Sequence, residues 1–274
     1  MSAPPTTPPR RRALGLGGRL LRRLLLAAGL PAILVAIWWY ASADSTHFLF
    51  PPLSRIVEII PDTWLNERIA EDVLPSLYRL AVGYGASLVL GIALGVVIGS
   101  SRVVRALLEP ALEFLRAIPP PVLIPVIGLF AGIGDSRRIL IIVAGCVWPI
   151  LLNTVEGVRA VDEVLSDTCR SYRIGGLDRL RHLVLRSASP QIMTGARQAL
   201  AIGIILMVIG ELRASTNGIG HTVEQFMTLF AYRQMWSGVI LLGVLGVVLS
   251  LLFRLVDRQV LGWYHGQRAS EKEW

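Results

Sequence analysis

The sequence predicts an all-α polytopic membrane protein with about six transmembrane helices. Three observations carry that fold class. Of 274 residues, 53% are hydrophobic and only 17% charged, and a mean hydropathy of +0.59 leaves too little polar surface to cover a soluble domain. About six windows of roughly 20 mostly apolar residues, the length that crosses a bilayer core, alternate with charged gaps. The basic residues, finally, gather in alternate gaps instead of forming one stripe.

The first window, Leu24–Ser42, follows a stretch rich in Pro and Thr and the run Arg10-Arg11-Arg12, so residues 1–23 read as a disordered basic tail. Ala41-Ser42-Ala43 imitates a signal-peptide cleavage site, but the apolar run is longer than a usual signal core and reads as an uncleaved span. The second window, Ser76–Gly99, carries Gly91-x-x-x-Gly95-x-x-x-Gly99, a spacing that lets helices pack closely. The third, Ala106–Gly132, is interrupted by Pro119, Pro120, Pro121 and Pro125 and is expected to be kinked or broken. Ile139–Val158, Gln191–Leu212 and Trp236–Val260 complete the set, giving a membrane domain over 24–265 and a tail over 266–274.

Orientation follows from the arginines. Six lie in the N-terminal tail with no acid, Arg102 and Arg105 in the second gap, and Arg159, Arg170, Arg173, Arg179, Arg181 and Arg186 in the long fourth gap. The first opposite gap is acidic, with Asp44, Glu58, Asp62, Glu67, Glu71 and Asp72. Positive charge inside places both termini and the 159–190 loop in the cytoplasm of a bacterial plasma (inner) membrane.

Several chemistries are excluded. Of the 27 Lys+Arg, only Lys272 is a lysine, so neither a P-loop nor a Schiff-base lysine is available. Cys146 and Cys169 read as free thiols. His47, His182, His221 and His265 are far apart without ligand spacing, so no metal site and no catalytic residue is assigned. Arginines flanking apolar spans explain the pI near 10.3, and no nucleic-acid partner is expected.

The segment Arg159–Pro190 is long for a loop between spans. Within it Ile174, Leu177, Leu180 and Val184 recur at helical spacing among charged residues, predicting a short amphipathic helix over 174–186. Spacing alone fits equally a helix lying on the membrane face and a helix docked in a partner's groove.

The run Asp167-Thr168-Cys169-Arg170-Ser171-Tyr172-Arg173, followed by Pro190-Gln191-Ile192-Met193-Thr194-Gly195-Ala196-Arg197-Gln198-Ala199-Leu200, resembles the EAA loop of ABC-importer permeases. Pro190, Ile192, Gly195, Arg197, Ala199 and Leu200 fall in register with the second half of that motif. Leu115-Arg116-Ala117-Ile118-Pro119-Pro120 with Leu123-Ile124-Pro125 is similar to the third helix of permeases for nitrate, aliphatic sulfonates and taurine. Glu211 followed by Asn217-Gly218-Ile219-Gly220 extends the likeness, which covers about residues 50–265. The chain departs from the motif in having Asp167 for its glutamate, Thr168 and Cys169 for its alanines, Arg173 for its glycine and Arg186 for its first proline. Arginine takes φ > 0 poorly, so either the turn slides to Gly175 and Gly176 or the loop docks less conventionally. One degenerate loop in an asymmetric pair of permeases would be tolerated, which favours considering a heterodimer beside a homodimer.

The resemblance implies a type I ABC-importer permease: two permease subunits in the bilayer, a cytosolic ABC ATPase dimer, and an extracytoplasmic solute-binding protein. This chain would bind no cofactor, since ATP and Mg would belong to the partner ATPase. Asp167, Arg173, Ile174, Gly175, Leu177, Leu180, Val184, Pro190 and Gly195 would couple to it. A small anionic solute such as a sulfonate, taurine, nitrate or a carboxylate would pass by alternating access.

Charged residues within spans face a pathway or a partner. Arg116, Pro119, Pro120 and Pro125 are the expected pathway residues, because a proline-broken helix exposes carbonyls that need a cavity, and Glu211 joins them. Helix-end pairing is the plainer expectation for most charges near span ends, Arg79 among them, and Glu113 and Arg116 stand at pairing distance in sequence. An ATP-independent channel or carrier would not need so long a loop. A membrane-embedded hydrolase would want a nucleophile motif and an intramembrane histidine that the sequence lacks.

Overall fold

The computed structural model describes residues 16–212 and 215–264, those of 16–28 by backbone alone. Every described element is helical. The chain divides into two units, Met1–Glu58 and Ile59–Trp274, a boundary different from those expected at 23/24 and 265/266.

In the first unit, α1 (Leu16–Ala41) starts ahead of the expected window, and the tail residues 1–15 lie outside the described residues, as do 265–274. Its end is fixed by Ser42, whose buried Oγ accepts the N–H of Leu53 at 3.0 Å and closes the loop between them. There α2 (Leu53–Trp64) begins, directly after Pro51-Pro52, and runs into the second unit.

In the second unit, α3 (Leu74–Ser100) is entered through a wide helical turn over Ile69–Val73. It is followed by α4 (Arg102–Ala117), a tight turn over Pro120–Leu123, α5 (Ile124–Ala131) and α6 (Asp135–Arg159). Then come α7 (Glu163–Ser171), the single turn α8 (Gly176–Arg179), α9 (Leu185–Leu212), α10 (Ile219–Thr228) and α11 (Tyr232–Val260).

Among the described residues, four helical stretches are long and apolar enough to cross a membrane: Ile69–Ser100, Asp135–Arg159, Gly176–Leu212 and Tyr232–Val260. The bent pair Arg102–Ala117 and Pro120–Ala131 makes a fifth, broken by 87° where the third window carries its prolines. A residue before proline is pushed out of the helical region, and Ile118 and Pro119, each followed by proline, have ψ of 118° and 126°. The expected first span falls in α1, whose described apolar part, Gly29–Ala41, is shorter than a bilayer crossing, so the described residues supply up to five spans where the sequence predicts about six. Single prolines at 110, 149 and 190 sit inside α4, α6 and α9 without ending them.

The centre of the unit is α6, packed between α3 and α9. Small residues decide how close these helices come. Gly83, Gly91, Gly95 and Gly99 of α3 lie against Ile142, Ile150, Thr154 and Val158 of α6, so the two helices run parallel with a constant offset. A Cβ on Gly95 would stand 2.5 Å from the Cβ of Thr154, so the expected close-packing role of this glycine spacing is met. On the other side Gly195 and Gly203 of α9 meet Pro149 and Cys146 of α6 in antiparallel order. Leu80, Ile141, Ile142, Ile150, Leu206 and Met207 fill the core between the three helices. A second cluster joins Trp64, Ile219, Phe226 and Leu245, where the Trp64 indole N–H donates to Ser237 Oγ at 2.8 Å.

Candidate functional site

The loop after α6 is built from two helices tied together. Asp162 caps α7, its Oδ1 accepting the N–H of Leu165 at 3.1 Å. Asp167 stands exposed on α7 and pairs with Arg170 at 3.0 Å. The helix ends in a paired C-terminal closure: Arg173 N–H donates to Arg170 O at 3.1 Å and Ile174 N–H to Cys169 O at 2.8 Å. Arg173 itself takes the left-handed position, with φ of 57°. The closure of α7 thus falls at Arg173, in the place the motif gives to glycine, at a cost of about 1 kcal/mol, and Gly176 takes a second left-handed position, with φ of 58°, where α8 begins. Arg173→Gly is expected to raise the melting temperature of the purified chain, whereas Ser171→Gly, inside α7, should lower it. No rise in the first variant would contradict the strained turn.

The amphipathic stripe divides. Val184 is buried with Val158, Ala188 and Ile192, and Leu180 is half-buried against the same cluster. Leu177 remains 76% exposed and Ile174 44%. The expected separate helix over 174–186 is instead the leading end of a continuous 37-residue helix, Gly176–Leu212, with a wide turn over Leu180–Val184. Arg179 Nη2 donates to Ser166 Oγ at 2.8 Å and ties this leading end to α7. Anything that moves Leu177 thus moves α9 along its length.

The in-register half of the motif is fixed by packing. A Cβ on Gly195 would sit 2.5 Å from Pro149 O, so only glycine lets α9 cross α6 there. Ala199 is fully buried, and Tyr84 OH donates to Ala196 O at 3.0 Å. Arg197 faces outward, 3.7 Å from Asp257 and over the Phe253 ring. Pro190 lies in the first turns of α9, its carbonyl accepting from Thr194 Oγ1 at 2.9 Å.

The pathway residues separate in space. Arg116 is paired with Glu113 at 3.0 Å, half-exposed, as their spacing allows. With Arg105, Glu109, Glu156 and Arg159 they line a cavity of about 260 Å³ between α4 and α6. Beyond Arg116 the chain turns at Pro119 and Pro120, the latter facing Gly145 of α6, and Pro125 opens α5.

Glu211 lies elsewhere, where α3 and α6 begin and α9 ends. It is fully enclosed: Oε1 accepts from Arg79 Nη1 at 2.8 Å and Ser76 Oγ at 2.7 Å, and Oε2 from Gly220 N–H at 3.0 Å. Arg79, 1% exposed, also donates through Nε to Asp135 Oδ1 at 2.7 Å and through Nη2 to Asn217 Oδ1. Asp72 accepts the Gly218 N–H at 2.9 Å, and Ile219 N–H donates to Ser76 Oγ at 3.0 Å. Gly218 has φ of 116°, and a Cβ there would meet the Glu211 carboxylate at 2.5 Å. Sequence reasoning placed Arg79 among span-end charges and Glu211 in the pathway without connecting them; Glu211 is instead enclosed in an internal ion pair, and Asp72, Ser76 and Asn217, whose partners come from distant segments, were missed.

The chain belongs to the binding-protein-dependent transport system inner membrane component family, whose sequence profile matches residues 87–262. It is 29% identical over 255 residues to the taurine transport system permease protein of Escherichia coli, covering 90% of this chain and 92% of that one. It is 31% identical over 246 residues to the bicarbonate transport system permease protein of Synechococcus elongatus, covering 85% and 86%. A putative aliphatic sulfonates transport permease protein of Bacillus subtilis is 28% identical, covering 85% and 86%. The fold is shared with the inward-facing MetNI methionine ABC transporter, with a TM-score of 0.60 and 19% identity over 69% of this chain and 94% of that one. The protein is thus a multi-pass inner-membrane subunit of an ABC importer and not an enzyme; ATP hydrolysis belongs to a partner ATPase, and a solute-binding protein is its second kind of partner.

Proposed function

We propose that two permease subunits, a homodimer or a heterodimer, work with two ATPase subunits to import a small anionic solute of the sulfonate, nitrate or carboxylate class. In this reading both termini and the 159–190 loop lie in the cytoplasm, and the chain binds no cofactor of its own, ATP and Mg being held by the ATPase. The observation that carries the reading is the outward-facing pair Ile174 and Leu177 on a loop fixed to α9.

An apolar side chain seated in a partner's groove transmits displacement without needing a charged contact. ATP-driven closure of the ATPases would push the leading end of the Gly176–Leu212 helix. Glycine-close packing along α6 would carry that motion into α3 and toward the broken α4–α5 span. Arg116, beside the proline turn, offers a cation to a passing anion, and Glu113 returns to it once the anion leaves. Several of the relatives named above carry anions by name, which supports the solute class.

The test is co-purification. Ile174→Asp with Leu177→Asp should release the ATPase while the permease still elutes as a folded species. Leu180→Asp, facing the interior, should lower stability instead of selectively releasing the partner. Undiminished ATPase association in the first variant would sink docking through this pair.

A further inference from the structure

Beside the 159–190 loop lies a second cavity, of about 560 Å³, which shares Arg105 and Arg159 with the smaller one beside Arg116. Four arginines line it: Arg102 and Arg105 from the start of α4, Arg159 from the end of α6, and Arg179 from α8. Its one carboxylate is Glu163. Arg159 is held by Glu156 at 2.7 Å and Arg179 by Ser166 at 2.8 Å, whereas Arg102 and Arg105 carry no ion pair among the described residues. Four guanidiniums around one open space repel one another unless an anion or water screens them, and planar guanidinium forks match the oxygens of a phosphate group.

We propose that this pocket binds a phosphate-bearing anion, with the headgroup of an anionic phospholipid as its occupant in the membrane. Three observations favour the lipid source. The pocket sits where α3 and α6 end and α4 begins, the level at which spans meet headgroups. Its volume exceeds what an inorganic phosphate fills. On α4 the basic residues are followed by the exposed apolar Val103 and Leu107, surface for an acyl chain beside the headgroup. A bound phosphate would bridge the α3–α4 corner to Arg179 of the coupling loop. Binding itself does not depend on the ATPase reading.

The detergent-solubilised full chain would be titrated with phosphatidylglycerol, with phosphatidylcholine, and separately with inorganic pyrophosphate, reading retained adducts by native mass spectrometry and the shift in melting temperature. Phosphatidylglycerol should be retained over phosphatidylcholine, and Arg102→Gln with Arg105→Gln should weaken it by about tenfold or more. Arg258→Gln, on α11 away from the pocket, should leave retention unchanged. Glu163→Gln should tighten binding, a gain that a misfolded variant cannot produce. Pyrophosphate binding with the same arginine dependence would support the site with a soluble anion as its source. Retention equal in the wild type and the double arginine variant, or no preference for any anion, would overturn it.

Discussion

Glu211→Ala is expected to destabilise the protein by about 3–5 kcal/mol, the cost of leaving a buried cation without its partner. Arg79 is 1% exposed, and removing the carboxylate takes the acceptor from the Gly220 N–H and leaves Arg79 Nη1 and the Ser76 hydroxyl only the Asn217 and Asp72 carbonyls. Asp135 remains beside Arg79, which keeps the loss finite. Glu211→Gln separates charge from shape. Its amide offers one acceptor and one donor group, but both carboxylate oxygens now face donors, so a cost of about 1–3 kcal/mol persists. Replacing Arg79 and Glu211 together by leucine should cost less than the sum of the single changes, with a coupling of about 0.5–3 kcal/mol. Denaturation in detergent micelles measures all of these variants. A Glu211→Ala protein as stable as the wild type would show that the ion pair does not hold this end of the bundle.

The second large effect concerns the helix crossing at Gly195. A methyl group there would stand 2.5 Å from the Pro149 carbonyl oxygen and 2.8 Å from Asn153 Cβ. Backbone cannot swing aside as a flexible side chain does, so α9 must move off α6, and Gly195→Ala should cost about 1–3 kcal/mol or more. Gly195→Leu is expected to abolish accumulation of folded protein. Gly243 supplies the comparison: it also lies within a helix, but nothing stands within 4 Å of its added Cβ. Gly243→Ala should be neutral or stabilising by about 0.5–1 kcal/mol, because alanine holds a helix better than glycine. Thermal melting of both alanine variants decides the matter, and equal effects would mean that the crossing tolerates separation.

The charged residues expected to line a pathway differ from one another because their surroundings do. Arg116 has an exposed carboxylate partner three residues away, an interaction worth little by itself. Glu211 accepts three hydrogen bonds from groups on two other helices, α3 and α10. Their sequence contexts are alike, each a charge near the end of an apolar window. Only the fold assigns one to a cavity and the other to an internal ion network.

The spans were legible because successive apolar runs of bilayer length need a hydrocarbon solvent to cover them, and the broken third span because adjacent prolines force extended backbone. The family was legible because Pro190, Ile192, Gly195, Arg197 and Ala199 keep fixed spacing along one helix, and local spacing survives without knowledge of what the helix touches. The amphipathic stripe was only half legible. Helical periodicity located Ile174, Leu177, Leu180 and Val184 on one face, but which of them points at α6 depends on where the continuous helix meets its neighbours.

By itself, then, the sequence determined hydropathy, helix breaks, charge distribution and the loop's motif, each a property of residues close together along the chain. Tertiary structure alone decided that Arg173 accepts a left-handed turn, that Gly195 is a contact between backbones, and that Asp135 and Asn217 join one network around the buried Arg79–Glu211 pair. The last two outcomes depend on groups tens to more than a hundred residues apart. Such pairings are selected by the close packing of whole helices, and no local pattern encodes them.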